Sequence, residues 1–168
     1  MRTLVLGLGN ELLADDGVGI AVARLLRSRL GGAAEVKTAS VSGIALLEFF
    51  LDYDRAIIID AVQTGKHRPG EFFDIDPKRL PPCIAPSPHY TGLPEMFDIA
   101  RKLDLKFPRD VKIVAIEVED ITTVGGEMST SVQIALPALT GYIEHLVRSP
   151  EPAQMAYAAR PKLARPRR

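Results

Sequence analysis

The chain has 168 residues, nearly half of them hydrophobic, with 21 basic and 21 acidic side chains, which is typical of a globular domain with its own core. The charge is uneven, because residues 1–159 carry sixteen basic and 21 acidic side chains whereas 160–168 carry five basic and no acidic ones. The mildly acidic body argues against a nucleic-acid-binding protein, and no apolar stretch is long enough to cross a membrane.

The cysteine content and the N-terminal segment indicate the compartment. Cys83 is the only cysteine, which excludes an internal disulfide and fits a reducing environment. The first apolar run is too short for a signal peptide and is not followed by a cleavage-like site. We therefore expect a cytoplasmic protein with a single α/β domain over residues 1–150 and a basic, disordered tail over 151–168. We expect it to act as a monomer.

Hydrophobic patterning predicts five strands and four helices. Short apolar runs or weak alternation predict strands over 3–8, 35–39, 55–62, 71–75 and 111–118. Apolar residues at steps of three and four predict helices over 16–30, 44–51, 94–103 and 131–147. Turn signals at Thr64-Gly65 and Pro69-Gly70 bracket a connection that is too short for a helical crossover, so the fourth strand should run antiparallel to the third.

This order of elements predicts a fold of the α/β class. Right-handed crossovers between parallel strands give a three-layer αβα architecture, with helices on both faces of a mostly parallel, twisted, five-stranded sheet. The predicted strand order is 2-1-3-5-4, with strand 4 antiparallel. The loops after strands one and three then open into the same crevice, which is where open α/β sheets bind ligands.

Two helix starts carry capping signals. Asp15 is predicted to cap the N-terminus of the first helix, and Asp16 to complement the dipole of that helix. Thr130 and Gln133 have the spacing of a capping box at the start of the last helix.

The turn after the first strand has the glycine spacing of a nucleotide-binding loop, but its other residues do not fit one. Leu12 stands where the dinucleotide fingerprint needs its third glycine. Asp15 and Asp16 lie where the helix begins, and a helix N-terminus binds phosphate through its free N–H groups. Two carboxylates there would occupy these donors and repel a phosphate. The turn therefore points to a cation.

Three residues form a candidate metal site: Asp16, Asp60 and His89. The two aspartates follow or end strands that meet at the predicted crevice, and His89 is held by a proline-rich loop over 77–92. One imidazole and two carboxylates suit a divalent transition metal such as nickel or zinc. The chain has no HExxH or CxxC spacing, so this set predicts an incomplete site that needs ligands from elsewhere.

Other interpretations of these residues stay open at this point. Asp60 could bond nearby backbone N–H groups, Asp16 could only complement the helix dipole, and His89 could be a surface histidine. Asp16 and Asp60 could also form a metal-free aspartic dyad, and Cys83 could be a thiolate nucleophile near His89. No G-x-S-x-G elbow is present. We prefer the metal because it also accounts for His89.

Four motifs, in the same order, resemble those of the NiFe-hydrogenase maturation endopeptidases and cover about residues 1–148. They are Gly7–Gly19, Ile58–Ala61, Ser87–Glu95 and Met128–Pro137. The metal-contacting positions of that family correspond to Asp16, Asp60 and His89. The chain departs from the family at Ala39–Gly43, where the usual loop is of a Gly-Gly-Thr type and only Gly43 matches.

The resemblance implies an endopeptidase that removes the C-terminal extension of a hydrogenase large-subunit precursor after nickel insertion. The nickel would arrive on the cysteines of the substrate, and Asp16, Asp60 and His89 would complete its coordination and act in catalysis. Zinc or cadmium could substitute for it in vitro. The alternatives are a nickel-binding accessory protein without peptidase activity and, less in keeping with the turn, a nucleotide-binding module.

Overall fold

The structure, a computed structural model, describes residues 1–77, 87, 89 and 93–149. Its strands are β1 (Thr3–Leu8), β2 (Glu35–Ala39), β3 (Arg55–Val62), β4 (Phe72–Ile75) and β5 (Asp110–Glu117). Its helices are α1 (Val18–Leu30), α2 (Leu47–Phe50), α3 (Leu93–Lys102) and α4 (Thr130–Arg148). Cys83 and the predicted tail over 151–168 lie outside the described residues.

The strands form one sheet in the order β2-β1-β3-β5-β4. The pairs β1–β2, β1–β3 and β3–β5 are parallel, and β4 pairs antiparallel with β5. The predicted topology is therefore confirmed, including the direction of β4. The direction of β4 has a physical basis in the short connection from β3, which reverses the chain but is too short for the helical crossover that a parallel strand needs.

The two faces of the sheet carry separate hydrophobic cores, which makes the three predicted layers. One core joins Leu6 and Ile58 to side chains of α2 and α3, such as Phe50 and Met96. The other joins Val5, Ile57 and Ile59 to side chains of α1 and α4, including Val22, Leu26, Leu139 and Ile143. The central strands β1 and β3 are buried along their whole length, because each alternate side chain enters one core or the other. Burial of one such side chain stabilises the fold by about 1.5–3 kcal/mol.

Two glycines let the first loop and α1 lie directly against the sheet. Gly9 has a φ of +143°, which side chains rarely permit, and a Cβ there would overlap the carbonyl oxygen of Asp16. A Cβ on Gly19 would overlap the carbonyl oxygens of Leu8 and Ile59. These close approaches fix the position of the turn that carries Asp16.

The predicted caps are wrong at both helix starts. A 3-10 turn over Ala14–Gly17 precedes α1, so the helix begins later than predicted and its N-cap is Gly17 rather than Asp15. The N-cap of α4 is Ser129, without a side-chain capping bond. Gln133 donates its amide N–H to the carbonyl of Met128, at 2.6 Å, and so it does not form the box with Thr130.

The second helix is also shorter than predicted. A 3-10 turn over Gly43–Leu46 takes up the first half of the expected span, and α2 is a single turn. The remaining helices and strands begin and end within two residues of their predicted bounds. Among the helices that the structure describes, none is both long enough and apolar enough to cross a membrane.

A buried arginine joins the last helix to the sheet. Arg55, at the start of β3, is 3% exposed. Its Nη1 donates to the carbonyl oxygen of Leu146 at 2.8 Å, and its Nε lies 2.9 Å from Asp110 Oδ2. The charge is thereby paired, as a buried guanidinium requires, and the C-terminal end of α4 is held against the sheet.

Candidate functional site

The candidate site lies at the carboxyl edge of the sheet, where β1 and β3 are neighbours. Asp16 follows β1, in the 3-10 turn before α1. Asp60 belongs to β3, and because side chains alternate along a strand it points to the same face as Ile58 and Val62, which enter the core under α2 and α3. The fold therefore brings the two aspartates to the same edge of the sheet.

The Asp60 carboxylate is fully buried and hydrogen-bonded on both oxygens. Its Oδ1 accepts the backbone N–H of Ala61 at 3.0 Å, and its Oδ2 accepts the hydroxyl of Ser87 at 2.6 Å. Burial raises the pKa of Asp60 to about 7, against the opposing effects of the positive charge of His89 and of the Ser87 hydroxyl. The carboxylate of Asp16 raises this pKa further. Asp60 can therefore change protonation state near neutral pH.

The imidazole of His89 is fixed through both of its nitrogens. Nδ1 lies 3.3 Å from the carbonyl oxygen of Val41, and Nε2 lies 3.6 Å from Asp16 Oδ2. Because a carbonyl can only accept, the proton of the neutral ring is on Nδ1 and the lone pair of Nε2 faces the carboxylate. Burial lowers the pKa of His89, but the carboxylates of Asp16 and Asp60 outweigh it, and the net pKa is raised.

In the neutral form of His89 two electron-rich atoms face each other at the centre of the site, and a proton on Nε2 relieves their repulsion, which is why the pKa of His89 is raised. An imidazole lone pair and a carboxylate oxygen repel unless a proton or a metal ion lies between them. Two donors that are each about 2.1 Å from one ion, at a tetrahedral angle, stand about 3.4 Å apart. The observed 3.6 Å between His89 Nε2 and Asp16 Oδ2 is close to this spacing. The pair is thus suited to share a cation.

The structure does not supply a complete set of metal ligands by itself. In the described part of the chain, no group of three His, Cys, Asp or Glu side chains has the geometry to hold a metal ion. Asp16 and His89 are in contact, whereas Asp60 is linked to His89 through Ser87, whose hydroxyl also accepts the His89 N–H at 3.2 Å. The arrangement is a two-donor site with a third carboxylate behind it.

Asp15 has a role that the sequence analysis missed. It is fully buried, and its carboxylate accepts three backbone N–H groups: those of Glu119 and Asp120 at 3.1 Å and that of Ser129 at 2.6 Å. It therefore fastens the segment after β5 to the turn that carries Asp16. Successive residues of a 3-10 turn point about 120° apart, which is why two adjacent aspartates serve different partners.

The other titratable groups near this edge have structural or surface roles. Glu117, which is 2% exposed, accepts the N–H groups of Thr64 and Gly65, both at 2.7 Å. The two other histidines of the chain, His67 and His145, are exposed. Glu117 thus orders the turn after β3, and His89 is the histidine that the site uses.

Comparison with known proteins gives consistent matches over most of the chain. The model of a family described as hydrogenase maturation protease matches residues 21–146. The hydrogenase 2 maturation protease of Escherichia coli K12 is 30% identical over 143 residues, which are 83% of this chain and 87% of that protein. A hydrogenase expression/formation protein of Rhizobium leguminosarum bv. viciae is 28% identical over 166 residues, 96% of this chain and 80% of that one.

Solved structures agree with these matches. The structure of a hydrogenase-maturating endopeptidase from Escherichia coli has a TM-score of 0.75 at 27% identity, and the alignment covers 88% of this chain and 93% of that one. The structure of a NiFe-hydrogenase maturation protease from Thermococcus kodakarensis has a TM-score of 0.69 at 27% identity, with 88% and 99% covered. The fold and most of the length are therefore common to these proteins and to this chain.

Proposed function

Because this chain belongs to the family of hydrogenase maturation proteases, as its motifs predict, we propose that it removes the C-terminal extension of a NiFe-hydrogenase large-subunit precursor after nickel insertion. We place this reaction in the cytoplasm and assign it to the monomer. The observation that carries the proposal is the approach of His89 Nε2 to Asp16 Oδ2, at 3.6 Å, beside the buried carboxylate of Asp60. This geometry suits a cation that another molecule delivers.

The side chains of the site support recognition of a nickel ion that is already bound to the substrate. Two carboxylates and one imidazole are too few and too hard to capture nickel in competition with thiolates. A nickel ion held by cysteines of the precursor would bring its own soft ligands and take Asp16, Asp60 and His89 as additional ones. Only the loaded precursor would then be held in place for cleavage. Zinc or cadmium should be able to replace nickel in vitro.

The chemistry that we propose is hydrolysis of one peptide bond. The residues Asp16, Asp60 and His89 would hold the cation beside the scissile carbonyl, where it would supply polarisation of that carbonyl and activation of a water molecule. Water adds to the carbonyl carbon, the C–N bond breaks, and the leaving amine takes up a proton. The proton that the attacking water releases is the one that the leaving amine takes up.

The test uses purified full-length protein with nickel-loaded and nickel-free precursor, and follows the mass of the precursor. We expect shortening of the loaded precursor only, and loss of processing in Asp16→Ala, Asp60→Ala and His89→Ala. His145→Ala, which changes an exposed histidine of α4, is the matched control and should process normally. Thermal unfolding of each variant confirms that it is folded.

Three outcomes would change the proposal. Equal cleavage of loaded and nickel-free precursor would end the nickel-recognition mechanism. Full activity of folded His89→Ala would move the site elsewhere. Binding of the loaded precursor without any shortening would identify the chain as a nickel-binding accessory protein, the alternative function.

A further inference from the structure

A buried serine hydroxyl lies between two of the proposed site residues. Ser87 is 1% exposed. Its Oγ is 2.6 Å from Asp60 Oδ2 and 3.2 Å from the backbone nitrogen of His89. The same atom thus contacts the carboxylate at the end of β3 and the backbone of the histidine segment.

The direction of these two hydrogen bonds follows from their chemistry. The backbone N–H of His89 can only donate, so Ser87 Oγ accepts that bond. The hydroxyl has one proton, and its other partner among the described residues is Asp60 Oδ2. Ser87 therefore donates to the carboxylate, and the short distance is typical of a charge-assisted O–H···O bond.

The contact of Ser87 is the long-range support of Asp60. The bond of Asp60 Oδ1 to the N–H of Ala61 joins neighbouring residues of β3 and does not hold the other end of the carboxylate, at Oδ2. The bond from Ser87 spans 27 positions in the chain and ties this end to His89. Rotation of the Asp60 carboxylate and displacement of His89 are therefore coupled through one oxygen atom.

We propose that Ser87 is a positioning residue, whose hydroxyl sets the orientation of the Asp60 carboxylate relative to the imidazole of His89. The proposal rests on the proposed function, because it takes Asp60 and His89 as ligands of the same ion. Hydrogen-bonded partners of metal ligands commonly account for 10–100-fold in metal affinity or activity. A serine that only satisfied a buried polar group would affect stability but not the affinity of the site.

The experiment measures binding of Cd²⁺ alone to the full-length protein by calorimetry. It is run at about pH 8, above the pKa of Asp60, so that the carboxylate is ionised. We expect Ser87→Ala to raise the dissociation constant by about 10–100-fold. Ser28→Ala is the matched control, because Ser28 is an exposed serine of α1 whose hydroxyl only contacts the carbonyl of Leu25, and it should bind Cd²⁺ as the wild type does.

A second pair of variants separates the hydroxyl from the packing of the side chain. Ser87→Thr and Ser87→Val have nearly the same shape, and only threonine retains the hydroxyl. We expect Ser87→Thr to bind Cd²⁺ more tightly than Ser87→Val by about the same factor that separates the wild type from Ser87→Ala. This comparison remains valid if both variants lose some stability, and it decides the matter if Ser87→Ala does not fold.

The outcomes distinguish this inference from the proposed function. Binding of Cd²⁺ by the wild type, with equal affinities of Ser87→Thr and Ser87→Val, would overturn the positioning role and leave the ligand set intact. Failure of the wild type to bind Cd²⁺, or full binding by Asp60→Ala, would overturn the ligand set and this inference with it. Selective loss in the variants without a hydroxyl supports both.

Discussion

The buried carboxylate of Asp60 should lower the stability of the metal-free protein, and Asp60→Asn should therefore raise it. Asparagine has nearly the same shape: its Oδ1 can still accept the N–H of Ala61, and its Nδ2, in place of the second carboxylate oxygen, donates to Ser87 Oγ instead of accepting from it. It removes the charge that is costly to bury in the absence of a cation. The metal-free wild type would thus be less stable than a variant that lacks the Asp60 carboxylate.

The magnitude follows from the shift in pKa. Folding raises the pKa of Asp60 from 3.8 to about 7, and each unit corresponds to about 1.4 kcal/mol, so that ionisation costs the folded state up to about 4 kcal/mol. Because the folded pKa of this acid is raised, stability is lost as the pH rises from about 4 to about 7 and then stays level. The figure is an upper bound, since Asp60→Asn also loses the oxygen that accepts the Ser87 hydroxyl.

The assay is urea unfolding in the presence of a chelator, at about pH 8 and about pH 5. We expect Asp60→Asn to be more stable than the wild type at the higher pH, with a smaller gain at the lower pH, where part of the cost is already removed by protonation. Asp98→Asn, at an exposed carboxylate of α3, should show no such pH-dependent gain. A variant that is less stable than the wild type at about pH 8, or a gain that is independent of pH, would refute the argument.

Three further substitutions test how the fold holds the site. Gly19→Ala should lower the free energy of unfolding by several kcal/mol, because the new Cβ would overlap two carbonyl oxygens of the strands. Gly141→Ala, in α4 with open space around the new Cβ, should instead raise it by up to about 1 kcal/mol. Chemical denaturation compares the two variants, and equal stabilities would contradict the close packing of α1. Asp15→Asn leaves fewer acceptor sites for the three backbone N–H groups that the Asp15 carboxylate binds. It should lower the free energy of unfolding by about 1–3 kcal/mol and speed proteolysis within 118–129. An unchanged rate of digestion would contradict the role of Asp15 in holding this segment. Arg55→Met removes the bond to the carbonyl of Leu146 and should lower the free energy of unfolding by about 1–3 kcal/mol. Thermal unfolding measures this loss, and an unchanged stability would contradict the role of Arg55.

Much of the fold could be predicted from the sequence, because the strands and their directions depend on short stretches of the chain. The isoleucine run in β3 is apolar on both faces, which is typical of a central parallel strand. The short connection to β4 leaves only an antiparallel return. These two facts and right-handed crossovers support the predicted strand order, and with it the edge of the sheet at which Asp16 and Asp60 lie, but the position of β5 between β3 and β4 does not follow from the short connection.

The sequence by itself thus determined the topology, the family motifs and the three candidate residues, but not how these residues contact one another. Asp15 and Asp16 are adjacent residues of the same type, and the sequence does not distinguish their roles. Only the 3-10 turn directs Asp15 to the backbone of a loop 104 positions away and Asp16 to His89. The role of Ser87 depends on a hydrogen bond across 27 positions. Contacts of this kind are set by the direction of each side chain in the packed fold, because a change of about one residue in helical phase turns a side chain by about 100° and gives it different partners.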